Sequence, residues 1–218
     1  MTKPNHSHLS LNLPQFNGHS KKRTIVRGVN HDKTTVRKRG QSKTVSNVRG
    51  KFTLLGLLLK TATPERLIQY ATGQNHEVPE VIATQFLKLN MPPPESLSRY
   101  DVPLIQIALN PLLLVSGDTD SHVEKRAFKI AELLINSGHD VNALSPSGLP
   151  ILHSSIIANR VKVVKFLLKH DARVEQKIGA NGKLNGLDAL TLVYLIQKQN
   201  PDIDYSEVII ELQSREKE

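Results

Sequence analysis

A 33-residue internal repeat is the feature that most limits how this 218-residue chain can fold. Residues 131–143 overlay residues 164–176, so that Val141 stands on Val174 and apolar positions superpose on apolar positions. A fixed period of this length indicates stacked units, each too small to bury its own apolar face. The sequence therefore predicts an array of similar units packed against one another.

Apolar spacing from Phe52 onward predicts that these units are helical. The apolar residues Phe52, Leu55, Leu58 and Leu59 recur at spacings of three and four, which is the spacing of one helix face. Residues 63–65, Thr-Pro-Glu, supply an N-cap, a proline at the first helical position and an acid in the first turn. Further amphipathic segments lie at 81–89, 103–109, 123–137, 150–158, 161–169, 187–197 and 206–213. We therefore predict an all-α fold.

Residues 128–176 resemble the ankyrin repeat. Leu133 to Ala143 is similar to the second helix and exit of such a repeat, and Gly148 to His153 is similar to its opening. The resemblance extends more weakly over residues 76–212, and it implies a short, curved helical-repeat solenoid of three to four units within residues 52–218. Pro150 stands where the family has a threonine, so the family's usual hydrogen bond from that hydroxyl to the histidine cannot form.

The middle unit carries extra residues. Val102 to Ile105 stand where the family has Thr-Pro-Leu-His, and Leu104 is 48 residues before the matching Leu152. This offset leaves about fifteen residues beyond the 33-residue period. They fall near Asn110–His122, between the two helices of the unit, where we expect a longer loop.

The first 51 residues form a basic arm. They hold twelve of the chain's 29 Lys and Arg and one of its 20 Asp and Glu, and only 11 of them are apolar. Such a segment buries too little surface to fold alone, so we expect a disordered or extended arm over residues 1–51. Segments 22–28, 33–40 and 43–50 repeat a basic, Thr, Val, basic, Gly pattern whose extended form suits strand addition to a partner.

The composition and motifs favour no catalytic chemistry. The chain has no Cys, so disulfides and thiolate metal sites are excluded. Residues 118–124 hold several carboxylates, but Ser121 and Glu124 have capping-box spacing, which favours a helix start over a metal site. The glycine-rich residues 179–186 lack phosphate-loop spacing and favour a turn at Asn181–Gly182. We expect no enzyme activity, cofactor or metal.

The resemblance implies a protein-interaction module, an adaptor or an inhibitor-type binding protein. The expected contact residues lie on the loops between units and on the first helices: Asp140, Asn142, Ser145, Ser147, Ser154, Ile157, Arg173, Glu175, Lys177 and Lys183. The arm is expected to bind an acidic protein surface through Lys21, Lys22, Arg23, Arg27, Arg37, Lys38, Arg39, Lys43 and Arg49.

Two other functions fit the same sequence. The arm's cations also suit nucleic-acid phosphates, which would make the chain a nucleic-acid-associated recruitment protein. A bacterial-type secreted effector or toxin-neutralising protein is the third reading, with the polar N-terminus as a non-cleaved export signal. No apolar run is long enough for a membrane span or a secretory signal, so we expect a cytoplasmic location.

Overall fold

The computed structural model describes residues 54–114, 120–179 and 182–215. The chain divides into two units, Met1–Gln41 and Ser42–Glu218, and all of the described residues belong to the second. The predicted boundary after residue 51 lies outside them. In the described ranges the regular secondary structure is helical, and the only β pairing consists of two isolated bridges. The all-α prediction is confirmed for this part of the chain.

Nine helices follow one another along the described residues. They are α1 (54–61), α2 (Pro64–Thr72), α3 (Glu80–Leu89), α4 (Leu104–Leu114), α5 (Ser121–Asn136), α6 (Ile151–Ile157), α7 (Val161–Lys169), α8 (Ala189–Gln199) and α9 (Ser206–Arg215).

The start and end of α2 follow from local chemistry. Thr63 is the N-cap, and its side chain accepts a hydrogen bond of 3.3 Å from the amide of Arg66. Pro64 occupies the first helical position, where a missing N–H costs nothing. Gly73 ends the helix with φ of 79°, a conformation that glycine adopts without strain. The predicted helix start at residues 63–65 is therefore confirmed.

Consecutive helices pack in pairs: α2 with α3, α4 with α5, α6 with α7, and α8 with α9. The first helices of successive pairs also contact one another, from α2 to α4, α4 to α6 and α6 to α8. Of the second helices, α7 contacts α9, and α5 also packs against α2 of the preceding pair. Fully buried residues from every pair, such as Ile68, Ala108, Ile156 and Leu192, belong to one continuous apolar core. Of the helices described, none is long and apolar enough to cross a membrane.

Within the expected long loop at Asn110–His122, residues 110–114 and 121–122 are helical, and residues 115–119 lie outside the described residues. α4 continues to Leu114 and α5 starts at Ser121, so part of the extra length is taken up by the two helices of this pair. α4 has 11 residues where α6 has 7, and α5 has 16 where α7 has 9. The capping-box expectation is also corrected, because the N-cap of α5 is Asp120, whose carboxylate accepts a 2.8 Å hydrogen bond from the amide of His122.

Candidate functional site

Hairpin 1, Leu97–Pro103, connects α3 to α4. Its ends are joined by the Leu97–Pro103 bridge and by a 2.9 Å hydrogen bond from the Ser98 amide to the Val102 carbonyl. The buried Ser98 hydroxyl accepts hydrogen bonds from the amides of Tyr100 and Val102, at 3.2 and 3.1 Å. Asp101 closes the turn with φ of 58°. A polar short side chain thus satisfies the amides that the tight turn leaves unpaired.

Hairpin 2, Leu144–Pro150, connects α5 to α6 and repeats the same design. The Ser145 amide donates to the Leu149 carbonyl at 3.2 Å, and the Ser145 hydroxyl accepts from the Leu149 amide at 3.0 Å. Gly148 has φ of 73°, matching Asp101 of hairpin 1. The two bridges are 47 residues apart, one fewer than the 48 expected from the sequence alignment.

Loop 3, whose described residues are 178–179 and 182–187, lies between α7 and α8 in the place of a third hairpin. The Ile178 amide donates to the Leu187 carbonyl at 2.9 Å, and the Gly186 amide donates to the Ile178 carbonyl at 2.8 Å. Gly182 has φ of 110°, and the Asn185 amide reaches back to the Gly182 carbonyl at 3.2 Å. These bonds make a turn over residues 182–185. The predicted turn at Asn181–Gly182 stays a prediction, because Asn181 lies outside the described residues.

Asn142 ties the exit of α5 to the exit of α7. Its side-chain amide donates to the Asp171 carbonyl at 3.2 Å, and its side-chain oxygen accepts from the Arg173 amide at 2.8 Å. Gln176 donates a further 2.8 Å bond to the Asn142 carbonyl. A bond of 2.9 Å from the Gly179 amide to the Gly148 carbonyl joins hairpin 2 to loop 3. Hairpin 2 and the exit of α5 are thereby bonded directly to loop 3 and the exit of α7, in addition to the packing of the helices.

The predicted contact residues divide into two groups. Asp140, Ser147, Arg173, Glu175, Lys177 and Lys183 are exposed, and Ser154 and Ile157 are half-buried on α6. Ser145 is buried within hairpin 2, and Asn142 uses its amide inside the protein, so both hold the loops in place. The predicted arm residues, Lys21, Lys22, Arg23, Arg27, Arg37, Lys38, Arg39, Lys43 and Arg49, lie outside the described residues.

Exposed apolar side chains on the hairpins were missed by sequence reasoning. Leu97 and Leu144 hold the same position in the two hairpins and are 46% and 44% exposed, and Tyr100 at the tip of hairpin 1 is 54% exposed. The signal available in the sequence was a leucine directly before each turn serine. The two leucines and Tyr100 therefore give the hairpins exposed apolar area.

One buried histidine is held neutral near pH 7. His153 in α6 is fully buried, and neither ring nitrogen has a hydrogen-bond partner of good geometry, in agreement with the proline at position 150. Burial lowers the pKa of His153 to about 4, against smaller opposing effects of the Asp188 carboxylate and of the backbone of Leu187 and Gln176. Asp188 is the N-cap of α8; partial burial acts to raise its pKa, but its hydrogen bonds with Thr191 lower it on balance.

In the described ranges, no three His, Cys, Asp or Glu side chains come together closely enough to hold a metal ion. Compared with known proteins, the chain matches no protein-family model and no curated protein. The geometry of the loops and helices is therefore what carries a functional assignment.

Proposed function

We propose that the chain is a non-enzymatic protein-binding module built from ankyrin-like repeats stacked as a short solenoid. The partner would contact the tips of the two hairpins and loop 3, together with the exposed side of the first helices. The observation that carries the proposal is the direct bonding, through Asn142 and Gly179, of hairpin 2 and the exit of α5 to loop 3 and the exit of α7. Loops fixed in this way present their side chains with little conformational entropy to lose on binding.

The equivalence of the hairpins supports a repeat architecture. Ser98 and Ser145 make the same backbone bonds, and each hairpin ends in a proline directly before a first helix. First helix packs on first helix through the described pairs, which is the contact pattern of a repeat array. Such arrays build extended binding surfaces from side chains that differ from one repeat to the next.

The composition of the loop surface suits a protein partner. Arg173, Glu175 and Lys177 follow one another at alternate positions, and all three are exposed. Leu97, Leu144 and Tyr100 provide exposed apolar area on the two hairpins. Mixed polar, charged and apolar character is typical of protein interfaces, whereas a nucleic-acid surface would be dominated by cations.

The basic arm is proposed to strengthen the same interaction by contacting an acidic surface of the partner. Twelve Lys and Arg against one acid in residues 1–51 would attract such a surface over the distance allowed by salt screening. The same charge supports nucleic-acid association as a second candidate function, because cations that neutralise phosphates release counterions. Replacing Arg37, Lys38 and Arg39 with Ala would then reduce the salt dependence of RNA or DNA binding by the full chain.

The test is quantitative affinity purification of the tagged full chain from its own cells, with nuclease treatment. We expect a protein partner that survives nuclease and whose recovery falls at least tenfold with the R173E/K177E double variant. The matched control is K125E/K129E, which makes the same charge change at exposed positions on α5. Equal losses in both variants, or loss of every partner after nuclease, would contradict binding through the loops.

A further inference from the structure

A crevice of about 160 Å³ lies between the chain leading into hairpin 1 and the exit of α5. One wall comes from the residues before and within the hairpin, and the facing wall from the residues after Gly138. Its principal lining residues are Pro94, Glu95, Leu97, Pro103, Asp140 and Ala143. The crevice opens beside the exposed Leu97, on the surface to which the partner is assigned.

The wall before hairpin 1 is rigid. Residues 92–94 are three consecutive prolines, each with a backbone φ fixed by its ring. The buried His139 ring holds the Pro92 carbonyl at 3.3 Å from Nε2. Pro94 packs against Gly138, where a Cβ atom would come within 3.2 Å of the proline Cγ. The crevice is consequently formed before any ligand arrives.

The size of the crevice selects one side chain. Small-molecule sites commonly enclose about 300–1,000 Å³, well above the volume found between these walls. A single long side chain of a partner fits the smaller volume. The prolines, Leu97 and Ala143 offer it apolar contact, so the stem of the occupant should be made of methylene groups or another apolar unit.

The charges around the crevice indicate which chemical group lies at the end of that side chain. Glu95 and Asp140 are both exposed carboxylates, and no Lys or Arg is among the residues that line the crevice. His139 adds no compensating charge near neutral pH, because burial lowers its pKa despite the opposing effects of the Pro92 carbonyl and Glu95. Apolar walls with two carboxylates and no cation are complementary to a positively charged group on an apolar stem.

We propose that this crevice receives an arginine side chain from an extended basic segment of the protein partner. Arginine fits better than lysine because its planar guanidinium has five donors, enough to bond carboxylates on both walls, and its flat face packs on proline rings. Leu97 and Leu144 would contact apolar residues on either side of that arginine. The inference rests on the proposed protein-binding function and specifies the chemistry of the partner.

The experiment measures ¹H,¹⁵N NMR spectra of the full chain during titration with N-acetyl-arginine methylamide. Saturable shifts are expected at the amides of Ile105 and Ala143, which line the crevice, with a Kd on the order of 1 mM for so small a probe. The neutral analogues N-acetyl-citrulline methylamide and N-acetyl-leucine methylamide should bind at least fivefold more weakly. Stronger binding of the leucine compound would overturn the assignment of arginine.

Two variants test separately the charge and the shape of the crevice. E95Q/D140N should weaken binding of the arginine probe at least fivefold while keeping the side-chain oxygen of residue 140 that accepts from the Asn142 amide. A143L should also weaken binding of the arginine probe at least fivefold, because the larger side chain fills the crevice while both carboxylates remain. The control is E132Q at an exposed position on α5. The proposal would be overturned if amides near exposed carboxylates throughout the protein shifted equally and A143L left these shifts unchanged. Such a result would show unspecific charge attraction.

The probe requires no knowledge of the partner, so the two proposals can fail separately. If the partner is captured through the loops but the arginine probe ignores the crevice, only the arginine assignment falls. If the probe binds the crevice but no partner depends on the loops, the crevice stands as an arginine site and the proposed function falls.

Discussion

Gln74 completes a hydrogen bond that Pro111 cannot make. Pro111 lies inside α4 and has no N–H to donate to the carbonyl of Ile107, four residues earlier. The side-chain amide of Gln74, at the end of α2, donates to that carbonyl at 3.2 Å and to the Thr72 hydroxyl at 2.8 Å. A residue at the end of α2 therefore replaces the one backbone hydrogen bond that Pro111 removes from α4.

Replacing Gln74 with Ala should destabilise the protein by about 1 kcal/mol, because the Ile107 carbonyl then loses its partner. The cost should be smaller in a P111A background, where the alanine amide supplies the missing helical donor. Urea unfolding of the two single variants and the double variant measures this coupling. Q85A, at an exposed position on α3, controls for removal of an amide side chain. An equal cost of Q74A in both backgrounds would show that Gln74 does not compensate for Pro111.

This same contact explains one limit of the sequence. Local signals placed most of the helices, because caps such as Thr63 and apolar periodicity act over a few residues. The continuation of α4 through Pro111 depends on a donor whose position, Gln74, is 33 residues away from the Ile107 carbonyl, and no local pattern contains it. The loop that we expected at Asn110–His122 rested on the length of the insertion alone, which does not show whether the extra residues lengthen the helices or separate them.

Asn142 provides a test of the bonding between loops. N142A removes two side-chain hydrogen bonds to the exit of α7 and should destabilise the protein by about 1–2 kcal/mol, since water can replace part of them at this half-buried site. The loss is measured by urea unfolding. N136A, at an exposed position near the end of α5, should cost little or nothing. A full-sized loss in N136A would indicate a general effect of removing an asparagine.

Two glycines should respond in opposite directions to substitution by alanine. G138A places a Cβ at φ of 99° and within 3.2 Å of Pro94, so it should destabilise the protein by about 1–2 kcal/mol and weaken the crevice wall. Gly56 lies in α1 with nothing within 4 Å of an added Cβ, and G56A should stabilise by about 0.5–1 kcal/mol. Thermal unfolding of both variants measures the contrast, and a stabilising G138A would contradict the packing at Pro94.

The candidate site was less predictable than the helices. The family resemblance pointed to loops in which residues such as Arg173 and Lys177 are indeed exposed. It also selected Ser145, because a sequence does not distinguish a serine that faces solvent from one that satisfies turn amides. The crevice requires the proline run before hairpin 1 to meet Gly138, more than 40 residues later, and only the folded chain brings them together.

His153 should make stability depend on pH. Its pKa is about 4 in the folded protein and 6.5 when unfolded, so between these values the unfolded chain binds a proton that the folded chain does not. The free energy of unfolding therefore keeps its full value above pH 6.5 and decreases as the pH falls. Because of His153 alone, it decreases by about 2 kcal/mol between pH 7 and pH 5. His139, whose pKa burial also lowers, adds to the loss in the same direction.

H153L should remove most of this dependence, because a buried leucine has no proton to gain. At neutral pH it should cost little stability, since the ring nitrogens of His153 lack well-formed hydrogen bonds and an apolar side chain of similar size suits the site. Urea unfolding of the wild type and H153L at pH 7, 6 and 5 gives the comparison, with H122Q at an exposed position as the control for losing one histidine. A pH dependence in H153L as steep as in the wild type would assign the acid sensitivity to other groups.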